Sequence, residues 1–375
     1  MINQADLLLS IAFWILVGAT VIQLFYYFYY YLAVTQPGKI QENTNTEPIS
    51  VIICARDEAE NLSRFLPAVL KQDYPDYEVI VVNDCSEDDS YIVLGEFLKQ
   101  YSRLKVSTLI DTKFNHSKKF AQFIGIKASK NEILVFTDAD CQPESDKWLS
   151  MMSSHFDAKT NFVLGYGGYL KGKGLLNKYI RYDTMTIAMQ YIGMARRGSP
   201  YMGVGRNLAY RRSVFFNNRG FGAHSNLASG DDDLFVNTNA TGKNTIAECR
   251  KEAHTRSVPA RGLSQWARQK KRHMTTAPYY KMSDKILLLP EPASRVLFYS
   301  SFILLILNPL MWQFALAIFG VRFITMIVTL SLIQKKLNEG GILPYSLIFD
   351  IFSPLINGVV YLGNLRSKPG NIGWK

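Results

Sequence analysis

The stretch Ile133-Leu134-Val135-Phe136-Thr137-Asp138-Ala139-Asp140 sets an apolar, strand-forming run directly before two acids one residue apart. Two runs of the same kind precede it, Ile49-Ser50-Val51-Ile52-Ile53-Cys54 and Glu78-Val79-Ile80-Val81-Val82, with helical patterns between. Short β-branched strands alternating with helices predict parallel βαβ units, in which residues past the C-terminal strand ends gather on one edge and meet ligands.

Acidic groups follow the strands. Asn83-Asp84-Cys85-Ser86-Glu87-Asp88-Asp89 comes after the second strand, Asp138-Ala139-Asp140 after the third, and Gly230-Asp231-Asp232-Asp233 later precedes Leu234-Phe235-Val236. A lone Asp-x-Asp is common in turns and helix caps. At the end of an extended strand, however, alternate side chains project to one side. Asp138 and Asp140 can therefore approach one hard cation, Mn2+ or Mg2+, with positions left open for phosphate oxygens. Asp84 either lines the same crevice or caps the next helix.

The 375 residues are enough for one large domain or two ordinary ones. Hydrophobic residues make up 48% and crowd towards both ends, which predicts membrane segments around a soluble middle. The net charge of +11 suits an anionic membrane surface or a phosphorylated ligand. Nucleic acid is disfavoured, because no zinc spacing, helix-turn-helix or RNA-recognition signature is present. Cys54, Cys85, Cys141 and Cys249 have no paired spacing, as expected of a reduced, cytoplasmic domain.

From Leu7 to Leu32 the chain is almost uncharged and ends in the aromatic block Phe25-Tyr26-Tyr27-Phe28-Tyr29-Tyr30-Tyr31. The length fits one transmembrane helix with an interfacial aromatic belt, and a cleaved signal peptide is disfavoured by the uncharged start and the long apolar run. Residues 35–47, with Pro37-Gly38, read as a linker between an anchor (1–34) and a cytoplasmic domain (48–290). The C-terminal region, 291–375, is membrane-bound in this reading. Its apolar stretch Val296–Ile333 fits two helices turning near Asn308-Pro309, while Ile342–Leu365, broken by Pro344, Asp350, Pro354, Asn357 and Gly358, fits a kinked or re-entrant hairpin. Basic residues in the middle domain, at Lys335-Lys336 and in the tail Arg366-Ser367-Lys368 put these segments on the cytoplasmic side. Arg322 and Asp350 lie within apolar runs, either as a transport path or as a packing pair.

Together these segments resemble the family 2 inverting glycosyltransferases over about Pro48 to His273. The resemblance rests on Ser50-Val51-Ile52-Ile53-Cys54-Ala55-Arg56-Asp57-Glu58, Asp84, Ser117-Lys118-Lys119-Phe120-Ala121, Asp138-Ala139-Asp140, Gly203-Val204-Gly205-Arg206-Asn207, Gly230-Asp231-Asp232-Asp233 and Gln265-Trp266-Ala267-Arg268-Gln269-Lys270-Lys271-Arg272-His273. It implies an A-type fold, a Rossmann-like mixed sheet with flanking helices, carrying one N-terminal and two to three C-terminal transmembrane helices. It further implies donor contacts from Ala55, Glu58, Asp84, Lys118, Asp138, Asp140, Gln269 and Arg272, a metal on Asp138 and Asp140, and a sugar or acceptor pocket at Gly205 and Asn207. The catalytic base falls on Asp232 when the register is anchored at Gly230, and on Asp231 when it is anchored at Asp233-Leu234.

The segments depart from the family pattern at Ser117, where Gly is usual, at Phe123, where Asn is common, and at His273, where the membrane-bound members have Trp. The helix at 265–273 also reads as a basic surface helix on anionic lipid. The expectation is a multi-pass enzyme of the cell inner or plasma membrane. It would move a sugar from a nucleotide-diphosphate donor, with uridine diphosphate the first guess, to a lipid-linked or glycan acceptor in envelope glycan or glycolipid synthesis. A processive polysaccharide synthase is the alternative enzyme, and an inactive membrane-anchored nucleotide-binding scaffold the alternative of another class.

Overall fold

The structure is a computed structural model that describes residues 4–38, 46–110, 117–224, 227 and 229–365. Helix α1 (Gln4–Phe25) runs on through a π turn, Tyr26–Tyr30, and a 3-10 turn, Tyr31–Thr35. The expected aromatic belt is realised only in part: Phe25, Phe28 and Tyr29 are exposed, but Tyr26, Tyr27, Tyr30 and Tyr31 are buried. The wide and tight turns point rings to several sides, and the inward ones join the core of the middle domain.

The chain then builds β1 (Ile49–Ala55), α2 (Ala59–Leu70), β2 (Tyr77–Asp84), α3 (Ser90–Gln100), β3 (Leu104–Leu109), α4 (Lys118–Ala128) and β4 (Ile133–Asp138). β3, β2, β1 and β4 lie side by side and parallel, as the alternating pattern predicts. β1 and β2 are buried along their whole length, which is why they read as continuous apolar runs. Helix α2 turns Leu62, Leu66, Val69 and Leu70 onto one face of the sheet, an amphipathic stripe at helical spacing.

Beyond β4 come β5 (Cys141–Pro143), α5 (Trp148–Ser153), β6 (Phe162–Gly165), β7 (Gly167–Tyr169), α6 (Leu175–Arg196), β8 (Leu208–Arg211), α7 (Arg212–Asn217), α8 (Asp233–Asn239), β9 (Thr245–Glu248) and β10 (Thr255–Ser257). β8 enters antiparallel to β4, so the main sheet is mixed, in the order β3-β2-β1-β4-β8-β6-β9. A small second sheet, β5-β10-β7, stands beside it. Its strands are three residues each, too short for periodicity to reveal.

The chain ends in α9 (Leu263–Met274), α10 (Met282–Leu288), α11 (Pro290–Ile306), α12 (Trp312–Lys336) and α13 (Ser346–Leu365). Among the described residues, three helical stretches are long and apolar enough to cross a membrane: Asp6–Thr35, Trp312–Lys336 and Leu343–Gly363. The expected turn between α11 and α12 lies at Asn308, whose carbonyl oxygen accepts from Met311 and Trp312 and whose side chain accepts from Leu310. The last apolar run is a single helix with Pro354 inside it, not a hairpin. The basic tail at 366–368 lies outside the described residues.

Arg322 and Asp350 form a buried pair at 2.7 Å, joined by Tyr299, Gln23 and Arg295. This is a packing cluster that binds α1, α11, α12 and α13 into one bundle. Removing one partner strands a buried charge. Asp350→Ala is expected to cost about 3–5 kcal/mol, read as a lowered Tm in detergent, whereas replacing Arg322 and Asp350 together with Met and Leu is expected to cost much less.

A second polar network joins the membrane helices to the soluble domain. Glu339, in the turn after α12, is fully buried and accepts from Tyr166, Arg181 and Arg256. Arg256 also reaches Glu144 at 2.9 Å, and His155 pairs with Glu248 at 2.6 Å. Burial alone would raise both carboxyls, but their His and Arg partners outweigh it and hold each down to about 2. A depressed carboxyl contributes stability that is present above its unfolded value, 4.5, and lost as pH falls towards 2. The Tm of the protein is therefore expected to drop as pH is lowered through that window, and Glu248→Gln to flatten the drop in a pH series of melting curves.

Candidate functional site

The site forms where the parallel strands end. Ala55 closes β1 between Asn83 of β2 on one side and the end of β4 on the other, where Cys54 lies opposite Asp138. This register sets Asp84 and Asp138 on either flank of β1. The turns that follow are stitched together. Asp57 and Cys85 take left-handed backbone angles of 52° and 50°. Asp57 N–H donates to Ser86 Oγ at 2.9 Å, and Glu87 N–H donates to Asp57 Oδ1 at 2.8 Å. Asp88 accepts from Ser90 N–H at 3.0 Å at the start of α3, the helix after Asp84, and from Ala59 N–H at the start of α2, while Asp84 is buried at the strand end. Glu58 precedes α2 and accepts from the side chain of Asn61.

Asp138, Asp140 and Cys141 bring their ligand atoms within 4.8 Å of one another. Burial, Asp138 and Glu58 push the Asp140 carboxyl up to about 6, while at Asp138 the neighbouring Lys118 ammonium outweighs burial and holds the carboxyl below its ordinary value. Two carboxylates crowded at a strand end are hard oxygen donors that fit Mn2+ or Mg2+. The Cys141 thiol does not add to that set. Burial and the nearby carboxylates raise its pKa, and its sulfur lies 2.7 Å from Ser257 Oγ.

Lys118 opens α4, whose N-terminus is capped by Ser117 Oγ. Its Nζ donates to Asp138 Oδ1 at 2.7 Å and lies 3.6 Å from Asp231 Oδ2. One cation thus links the strand-end carboxylates to the Asp231–Asp233 cluster. Lys119, beside it, donates to the carbonyls of His224 and Leu227 and so anchors the loop leading to that cluster.

The three aspartates have different surroundings. Gly230 has φ +100°, and a Cβ there would meet Leu234 at 2.5 Å, so the chain turns sharply into α8 only with glycine. Asp231 is buried, and burial with the nearby carboxylates outweighs Lys118 to raise its pKa. Asp232 caps α8. It accepts from Asp233 N–H at 2.8 Å and from Gly205 N–H at 2.6 Å, and it lines the cavity described below. Asp233 accepts from Tyr280 at 2.8 Å and from Thr276, and burial together with Asp232 pushes its carboxyl up to about 7.

Gly205 meets Asp232 as the glycine-rich loop suggests, but Asn207 does not face the pocket. It is fully buried, accepts from Trp148 Nε1 at 3.0 Å and donates to the carbonyls of Tyr166 and Ala253. Its neighbour Arg206, which the sequence reading left without a role, lies over the ring of Tyr169 at 4.4 Å and lines the cavity instead. Gln269 donates to Tyr169 at 3.0 Å, and Arg272 and His273 follow on α9. Lys270 is buried in a pair with Asp183 of α6 at 2.6 Å, rather than extended towards lipid.

Lys118, Asp138, Arg206, Asp232, Gln269 and Arg272 share one cavity of about 480 Å3. It continues past Tyr27, Tyr31 and Tyr182 to Glu291 and Arg295 of α11 and Asp350, Ser353 and Asn357 of α13. The long helix α6, with its mixture of buried aromatics, methionines and charges, forms much of the wall.

Residues 50–216 match the model of "Glycosyl transferase family 2". They form a glycosyl transferase family 2 domain. Glycosyltransferase AglE of Haloferax volcanii is 39% identical over 109 residues, 28% of this chain and 34% of that protein. A poly-beta-1,6-N-acetyl-D-glucosamine synthase of Staphylococcus epidermidis is 31% identical over 124 residues, 33% of this chain and 28% of that protein. The matched stretches thus span about a third or less of the length of these two curated relatives. A mannosyltransferase of Pyrobaculum calidifontis, solved in complex with GDP-Man and Mn2+, superposes with a TM-score of 0.65 over 96% of this chain and 99% of its own at 19% identity, which establishes a common A-type fold.

Proposed function

We propose that this chain is a metal-dependent inverting glycosyltransferase that moves a sugar from a nucleotide-diphosphate donor to a lipid-linked or membrane-proximal acceptor. The observation that carries the reading is the convergence of Asp138, Lys118 and Asp232 at one cavity, with Asp140 next to Asp138. The family 2 domain and the Mn2+ and GDP-Man of the similarly folded mannosyltransferase support it.

In the mechanism, Asp138 and Asp140 would hold Mn2+ or Mg2+, which when bound would supply charge neutralisation for the diphosphate leaving group. Ala55, Glu58 and Asp84 border the nucleoside at the strand ends. Lys118, Arg206 and Arg272 face the phosphates as fixed cations, and Gln269 braces the wall through Tyr169. Gly205 N–H orients Asp232, whose carboxylate takes the proton of the acceptor hydroxyl as that oxygen attacks the anomeric carbon. One displacement inverts that carbon.

The catalytic domain faces the cytoplasm in this reading. Lys335 and Lys336 end α12 beside the turn that Arg256 grips, so the basic loop lies on the same side as the domain. The test is a thermal-shift and hydrolysis screen of nucleotide sugars with Mn2+ on the purified full-length protein. A donor that raises Tm only with the metal is expected, and no binding or turnover of any donor would overturn the reading. Products resolved by size, one added sugar against a ladder, separate single addition from processive synthesis.

A further inference from the structure

The three-residue strand β10 touches the site on one face and the membrane bundle on the other. It lies between β5 and β7, with Ser257 opposite both Cys141 and Tyr169. Alternate side chains of a strand point to opposite faces, so Thr255 and Ser257 share one face and Arg256 takes the other. On the first face Ser257 Oγ lies 2.7 Å from Cys141 Sγ, next to Asp140, and Thr255 Oγ1 donates to the Arg206 carbonyl at 2.9 Å. Val258 N–H, just past the strand, donates to the Asp140 carbonyl at 3.2 Å. Arg206 in turn lines the cavity, with its Nη1 buried and without a hydrogen-bond partner among the described residues.

On the second face Arg256 donates to Glu339 and, at 2.8 Å, to the Leu337 carbonyl, both in the turn between α12 and α13. Glu339 also accepts from Tyr166 and Arg181, each at 2.8 Å, and Asn338 donates to Glu144 Oε1 at 3.2 Å. A Cβ at Gly168 would meet Arg256 Nη1 at 2.1 Å and Glu339 Oε1 at 2.8 Å, so β7 leaves room for the pair only with glycine there. Strands of about 5–6 residues are usual, and three-residue strands make too few ladder hydrogen bonds to fix their own place. Side-chain anchors must do so, and the charged anchor of β10 is Arg256.

We propose that Glu339 is a positioning residue for sugar transfer, a role that rests on the metal-dependent reaction proposed for this site. By holding Arg256 it sets, through β10, the places of Asp140 and Arg206. The site is then complete only while the turn between the membrane helices is docked on the catalytic domain.

Two measurements on the full-length protein in nanodiscs test this. The first is amide hydrogen exchange without metal or donor. In Glu339→Gln, exchange is expected to rise about 10-fold within 139–143, 205–208 and 255–258 as β10 loosens. Gly168→Ala attacks the same pair from β7 and should give the same pattern; it serves if the Gln variant does not fold, with folding read from Tm. Glu248→Gln makes the same change at a buried carboxylate that pairs with His155 away from β10, and should leave those peptides unaltered. Exchange that stays at the parent level in 139–143 and 205–208, whatever happens in 337–341, would overturn the proposal, whether or not sugar is transferred.

The second is Mn2+ affinity by calorimetry, set beside turnover of the nucleotide sugar found by the donor screen. Glu339→Gln is expected to weaken Mn2+ binding about 10–100-fold, the range lost when a group that holds a metal ligand in place is removed. The Mn2+ concentration for half-maximal transfer should rise in step. Glu339→Asp, which keeps the charge, should recover most of that loss, while Glu248→Gln should stay within about twofold of the parent. Parent-like Mn2+ affinity in both Glu339→Gln and Gly168→Ala, with only Tm lowered, would overturn the proposal and leave glycosyl transfer intact. Loosened 139–143 in a protein whose parent form binds no Mn2+ and turns over no donor would instead sink the metal-dependent reading, with the coupling through β10 intact.

Discussion

Asp232→Asn is expected to lower sugar transfer by about 10²–10⁴-fold, the range lost when a positioned general base is removed. The amide keeps the shape of the carboxylate, but its single oxygen can accept from only one of Gly205 N–H and Asp233 N–H, which bond separate oxygens of Asp232. The proton-accepting carboxylate is lost together with one of these two anchoring bonds. kcat is expected to fall far more than donor KM rises, the signature of an interaction made mainly in the transition state.

Asp231→Asn gives the discriminating comparison. Asp231 lies beside Lys118 at 3.6 Å and away from the cavity wall, so its loss should disturb donor binding more than proton transfer. Full transfer in Asp232→Asn together with its loss in Asp231→Asn would move the base to Asp231, and full transfer in both would remove the base from this cluster.

The parts of the site that sequence reveals are those with a local physical signature. β1, β2 and β4 are buried on both faces, so their apolar runs announce themselves, and the acids that follow must fall at one sheet edge. Asp138, Asp140 and Lys118 come together as such a layout requires. Asn207 could not be placed in this way. A glycine-rich loop has the same spelling whether its Asn turns to a ligand or to Trp148, and the decision rests with a residue 59 positions away. Arg206 was hidden for the same reason, because Tyr169 comes from a three-residue strand without detectable period. The tyrosine block misleads differently: a membrane interface and an aromatic core both favour Tyr, and only the π turn after α1 divides the rings between the two.

Asp138→Asn and Asp140→Asn should each lower transfer by about 10³-fold or more, since several kcal/mol of transition-state charge stabilisation would depend on the cation proposed for them. The two substitutions differ in what they leave behind. Without Asp138, Lys118 loses its 2.7 Å partner and retains only the more distant Asp231, so the buried ammonium is poorly compensated and Tm should fall as well. Without Asp140, that ion pair survives, the crowding that pushes its carboxyl up to about 6 is relieved, and Tm should hold or rise. Lys118→Met separates metal binding from catalysis. The lysine occupies the Asp138 oxygen that a divalent cation needs, so removing it should tighten Mn2+ binding while lowering transfer. Titration of Mn2+ by calorimetry on the two Asn variants and on Lys118→Met, set beside their turnover, checks all three. Unchanged Mn2+ affinity in both Asn variants would take the cation away from this pair of carboxylates.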